Sequence, residues 1–182
     1  MIELTDEQIV QRTLEGEDEA FSLLVRRWEK KVYGLAYRML GHYEEARDAS
    51  QEIFLTVFRN LSKFRGESKF SSWLYRIALN CCHNRLRERT VQTLPLEESL
   101  PIPEAGSLQQ DVERHETIDR VRRAVHALPF DLRQVIIMKE YEGLTFKEIA
   151  EILNIPVSTA KTRLYTGLDQ LRQRLSAVRD AL

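Results

Sequence analysis

Arg76, Asn80 and Asn84 recur at a spacing of four, and Arg87 follows three residues later. On a helix that spacing puts all four on one face. Guanidinium groups pair with phosphates, and carboxamides form paired hydrogen bonds with base edges. The face sits at the end of Lys63-Phe-Arg-Gly-Glu-Ser-Lys-Phe-Ser-Ser-Trp73, a stretch that mixes cations with rings. Rings of this kind stack on unpaired bases. Phe70, Leu74 and Ile77 can supply the buried side of the same helix. Trp73 falls between the two sides and suits core packing as well as base stacking.

A second group lies near the C-terminal end, in Leu144-Thr-Phe-Lys-Glu-Ile-Ala-Glu-Ile-Leu-Asn-Ile-Pro-Val-Ser-Thr-Ala-Lys-Thr-Arg-Leu-Tyr165. Thr145 and Glu148 have the spacing of a capping box that opens a helix. Ile149, Ala150 and Leu153 share its apolar face. Asn154 stands at the turn, where a left-handed residue is needed, and Pro156 begins a new helix. Val157, Ala160 and Leu164 predict the buried side of that second helix. Ser158, Thr159, Lys161, Thr162, Arg163 and Tyr165 remain to face outward or flank the seam. This pattern predicts a helix-turn-helix, whose second helix enters the DNA major groove. An ordinary pair of helices with a solvated outer face has the same outline. Small alanines at the crossing and a turn this short favour the DNA motif.

A third pattern is a stripe of Asp48, Gln51, Glu52 and Leu55 beside an apolar stripe of Ile53, Val57 and Leu61. It suits a docking surface, with a plain solvated face as its competitor.

These groups require helices to position them. Thr5 and Gln8 make a capping box for a short first helix ending near Gly16. Phe21, Leu24, Val25, Trp28, Val32, Leu35, Ala36 and Met39 keep a helical period up to Gly41, and Ala46 to Leu61 continue it. A fourth helix is predicted from about Phe70 to Arg89, another from Val112 to Leu128, and one opened by Pro129 that ends near Gly143. No stretch shows the alternation of a strand. Thr90 to Gln110 holds Pro95, Pro101, Pro103 and Gly106 among acids, which predicts a linker. The fold class is therefore all-α, with two small helical bundles joined by a flexible linker.

Charge is segregated along the 182 residues, although the net is only −1. Residues 1–20 carry seven acids against Arg12, and residues 97–119 carry seven against Arg114. Residues 59–89 carry eight cations against Glu67 and Glu88, and residues 157–182 carry five against Asp169 and Asp180. Such blocks allow local phosphate binding without a basic protein overall. Charge runs as solvated helix faces are the competing reading. No apolar run approaches the ~20 residues of a membrane span, and the acidic start is unlike a signal peptide, so a cytoplasmic location is expected. Cys81 and Cys82 are adjacent and match no metal-ligand or disulfide pattern; one is expected in a core. The four histidines have no metal spacing, and no metal, cofactor or catalytic residue is expected.

Asp48-Ala-Ser-Gln-Glu-Ile-Phe54, Phe70-Ser-Ser-Trp-Leu-Tyr-Arg-Ile-Ala-Leu-Asn80 and Leu144-Thr-Phe-Lys-Glu-Ile-Ala150, in this order on two helical modules, together resemble an ECF (extracytoplasmic function) sigma factor of the sigma-70 family. The resemblance implies region 2 over 1–90, a linker over 91–111 and region 4 over 112–182. It implies that Asp48, Gln51, Glu52, Leu55 and Phe58 dock on the β′ clamp helices of core RNA polymerase. Phe64, Lys69, Phe70, Ser72, Trp73, Arg76, Asn80, Asn84 and Arg87 would read and open the −10 element, holding one base of the melted strand outside the stack. Ser158, Thr159, Lys161, Thr162, Arg163 and Tyr165 would read the −35 duplex. Val135, Ile136 and Met138 would partly pack internally and partly meet the β flap tip. Promoter DNA, core polymerase and an anti-sigma factor are the implied partners, without a small-molecule substrate. Many members carry three arginines where this chain has Lys161, Arg163 and Thr166, and Lys does not replace Arg in paired guanine contacts. A stand-alone helix-turn-helix regulator binding DNA as a dimer is the alternative, and an enzyme is a distant third.

Overall fold

The computed structural model describes residues 4–92 and 108–179. Among these residues there are eight α-helices and no strand. The chain divides into two compact units, Met1–Leu94 with Glu151–Asn154, and Pro95–Ala150 with Ile155–Leu182.

The first unit holds α1 (Asp6–Leu14), α2 (Asp18–Leu40), α3 (Tyr43–Asn60) and α4 (Phe70–Gln92). The capping box at the start of α1 is formed in both directions between Thr5 and Gln8. Gly41 ends α2 at φ 84°, with its N–H donating to Tyr37 O at 2.9 Å. A side chain there would strain the left-handed turn. A single 3₁₀ turn, Leu61–Lys63, closes α3.

The inward face of each helix supplies one core: Ile9 from α1, Leu24, Leu35 and Met39 from α2, Ile53 and Val57 from α3, and Phe70 and Leu74 from α4. Each such side chain contributes about 1.5–3 kcal/mol by leaving water. Polar ties fix α1 on α2: Asp6 accepts from Trp28 Nε1 at 3.0 Å and from the Arg27 guanidinium at 2.6 Å. The predicted helical period of α2 is present, but Phe21 and Val25 are only half-buried. Cys81 and Cys82 are both buried free thiols, where one core cysteine was expected.

The second unit holds α5 (Leu108–His126), α6 (Phe130–Ile136), α8 (Val157–Arg179) and the first part of α7 (Phe146–Leu153). Arg133 is buried and donates to His126 O and Leu128 O, so it satisfies carbonyls left over at the end of α5. The helix expected from Pro129 to Gly143 is α only as far as Ile136. Ile137–Tyr141 widen into a π-turn, with Glu142 N–H reaching Ile137 O at 3.2 Å. Arg133 to Met138 are buried without interruption, which one face of a regular amphipathic helix does not permit. α8 packs on α5 and α6, and Ala160, Leu164, Gly167 and Leu171 are buried along it. A Cβ at Gly167 would lie 2.6 Å from Ile136 Cδ1, so glycine allows the close crossing.

Helices α4 and α5 consume both flanks of the expected linker, ending at Gln92 and starting at Leu108. The remainder of that linker, 93–107, lies outside the described residues.

Candidate nucleic-acid and polymerase interfaces

α4 carries the first candidate surface. Arg76, Asn80, Asn84 and Arg87 are all exposed along it, on the face opposite Leu74, Ala78 and Cys82. Two residues of the expected DNA-reading set lie elsewhere. Phe70 is 1% exposed and Ser72 is 3% exposed; both point into the helical core, so neither presents a ring or hydroxyl to a base. Ile77, expected in the core, is half-buried. Phe64 and Trp73 are half-buried and lie against each other, ring centres 5.4 Å apart, over Phe70 at 5.8 and 6.0 Å. Trp28 packs beneath, edge-on to Phe70 and Tyr75. Trp73 thus packs in an aromatic cluster on one side and keeps solvent on the other. Lys69 is exposed at the start of the helix.

α3 carries the second surface. Asp48, Gln51, Glu52, Leu55 and Phe58 are all exposed. Leu55 is 55% exposed and Phe58 46%, and Phe58 meets Phe21 of α2 edge-on at 5.0 Å. Large apolar side chains left in water on one face suit a contact surface. Glu52 is engaged within the unit, accepting from Arg85 Nε at 2.9 Å and Nη2 at 2.7 Å. Arg85 gave no sequence signal for that role, because pairing across α3 and α4 is set only by their packing.

The helix-turn-helix has the local geometry its residues predict. Thr145 N–H donates to Glu148 Oε2 at 2.9 Å, and Glu148 N–H donates to Thr145 Oγ1 at 3.3 Å. Asn154 has φ 52°, the left-handed region, and Ile155 N–H closes the turn on Ala150 O at 3.0 Å. Ala160 and Leu164 are buried as expected, but Val157 is 40% exposed. At the first turn of α8 it has no neighbouring turn to cover it. Leu153, expected on the apolar face of α7, is half-buried.

On the outer side of α8, Ser158, Lys161, Thr162 and Tyr165 are exposed, and Thr159 and Arg163 are partly covered. Arg163 pairs with Asp131 of α6 at 3.0 Å. Lys161 and Lys139 lie over the Phe146 ring, 5.7 and 5.1 Å from its centre. Asp131 and Phe146 carried no sequence signal for these contacts. Val135, Ile136 and Met138 are fully buried, at 2% exposure or less. They are core residues of α6 and the π-turn and have no surface to offer a flap.

Residues 24–91 match the family Sigma-70 region 2, and residues 118–171 match Sigma-70, region 4. The RNA polymerase sigma-H factor of Pseudomonas aeruginosa is 33% identical, over 93% of each chain. The ECF RNA polymerase sigma factor SigW of Bacillus subtilis is 35% identical, over 96% of this chain and 98% of its own. The chain belongs to the ECF sigma factors of the sigma-70 family. As an alternative sigma factor, it directs bacterial core RNA polymerase to specific promoters. The region 2 match covers most of α2 through α4, and the region 4 match covers the end of α5 through most of α8. The sigma factor RpoE of Bartonella quintana, solved in complex with the anti-sigma factor NepR, shares this sigma factor's fold. Its TM-score is 0.71 at 18% identity, over 86% of this chain and 96% of that one. No helix among the described residues is long and apolar enough to cross a membrane.

Proposed function

We propose that the three exposed surfaces divide the work of promoter recognition. Leu55 and Phe58, with Asp48, Gln51 and Glu52, dock on the clamp helices of the polymerase β′ subunit. The half-buried Phe64–Trp73 ring pair, Lys69 and the face of Arg76, Asn80, Asn84 and Arg87 take the −10 element and its melted strand. Ser158, Lys161, Thr162 and Tyr165 meet the −35 duplex, with Arg163 and Thr159 at the edge. The observation that carries this assignment is α4 itself. One continuous helix presents two amides and the Arg87 guanidinium to solvent, with Arg76 on the same face, directly after an aromatic cluster that is open on one side. Phosphates, base edges and an unstacked base are the three things such a surface can hold.

Regions 2 and 4 correspond to 1–90 and 112–182, with 91–111 between them. The protein acts in the cytoplasm, and an anti-sigma factor that covers both modules regulates it, at the inner membrane face where that partner is membrane-bound. Support for such a partner comes from the related fold of RpoE, which was solved in complex with the anti-sigma factor NepR.

Asn80→Ala tests the assignment on α4. Losing a paired amide contact costs about 1–3 kcal/mol. Open-complex formation should fall accordingly, while affinity for core polymerase stays at the wild-type value. Equal loss of both would place Asn80 in the fold instead of the interface.

A further inference from the structure

Helix α4 follows a residue whose side chain cannot cap it. The residue before it is Lys69, whose side chain has donors and no acceptor. A helix start leaves N–H groups unpaired unless something accepts from them. Here the acceptor comes from another helix: Phe70 N–H donates to Glu7 Oε1 of α1 at 3.1 Å. The Glu7 carboxyl is held below its ordinary value of 4.5, first by that bond. Its own N–H, the Thr5 hydroxyl and the nearby Lys69 charge add to this, against the effect of burial. α1 is in turn anchored on α2 through Asp6, Trp28 and Arg27.

The segment between α3 and α4 is thus held at both ends. Phe64 lies against Phe70 and Trp73 at one end, and Glu7 holds the first amide of α4 at the other. Between them Arg65, Gly66, Glu67 and Lys69 are exposed, and Gly66 turns at φ +71°. We propose that Glu7 is a positioning residue for promoter melting: it caps α4 from α1 and thereby fixes the loop 64–69 in the shape that receives the melted strand. This role rests on the assignment of that loop to the −10 element. Glu7 precedes the region 2 match, which begins at residue 24. A preformed loop avoids ordering costs at the moment of binding.

The test uses the full chain as wild type, Glu7→Ala and Glu7→Gln, each assembled with purified bacterial core polymerase. The probe is a promoter fragment that the wild-type holoenzyme transcribes. Permanganate reactivity of its thymines reads melting, hydrogen exchange of the 64–73 peptide reads the loop, and a duplex carrying only the upstream element reads region 4. Glu7→Ala should lower melting about tenfold, an effect the size of a lost cap, and speed exchange in the loop. Core affinity and upstream-duplex binding should be unchanged. Glu7→Gln keeps an oxygen that accepts from Phe70 N–H, so it should recover most of the melting. Normal melting by Glu7→Ala would overturn the role, as would a Glu7→Gln variant as defective as Ala with lost helicity. Normal melting by Asn80→Ala, with Glu7→Ala defective, would overturn the −10 assignment on which the role rests.

Discussion

Cys81 and Cys82 sit side by side on α4, and their burial has a measurable consequence. Burial pushes the Cys81 thiol up to about 11 and the Cys82 thiol up to about 12, from 9.0. The folded chain therefore favours the protonated thiols. Their contribution to stability is complete below 9.0 and is lost as pH rises from there through about 11 and 12. Urea denaturation across that range should show a steeper loss for wild type than for a Cys81→Ala/Cys82→Ala variant. Iodoacetamide should label neither cysteine quickly in the folded protein at neutral pH, because the thiolate is the nucleophile. Sequence reasoning placed one cysteine in a core. It did not place the second, because the cover over Cys81 depends on the packing of α3 against α4. The exposed Asn80 next to it was legible from its spacing with Arg76 and Asn84. Ser72 was not, because a hydroxyl beside Trp73 looks the same in sequence whether it faces DNA or the core.

Helix α3 shows what periodicity can and cannot locate. Its apolar stripe of Ala46, Ala49, Ile53 and Val57 is buried as its spacing predicts. The stripe says nothing of Phe58, which could have been core. At 46% exposure, Phe58 can carry a charge without opening the core. Leu55→Asp with Phe58→Asp should therefore abolish association with core polymerase while far-ultraviolet circular dichroism stays at the wild-type level. Loss of helicity would instead make Phe58 a structural residue. On α8, Lys161→Ala should weaken binding to an upstream-element duplex. A base contact would cost about 1–3 kcal/mol, and a phosphate contact would reduce the slope of log affinity against log salt by about one. Asp131→Ala releases the guanidinium of Arg163 from α6 and should change affinity for the same duplex at low salt. An unchanged affinity in both variants would remove this face of α8 from the DNA contact. The widening at Ile137–Tyr141 was not legible, because a run of apolar residues fits a buried α-helix and a π-turn equally well.

Across the whole chain, near-neutral net charge coexists with basic blocks on the helices assigned to DNA. The sequence showed this segregation and the two helical modules because caps, periodicity and the turn at Asn154 are local signals. Pairings across helices, such as Glu7 with Phe70 and Arg85 with Glu52, were hidden because they depend on packing between distant segments. The central claim is that these modules act as one promoter-specificity subunit. Run-off transcription tests it directly, with purified bacterial core polymerase and a library of promoter fragments from the source organism, with and without the protein. The account predicts protein-dependent transcripts whose templates share two spaced upstream elements. Specific DNA binding without polymerase, and no protein-dependent transcript, would contradict it.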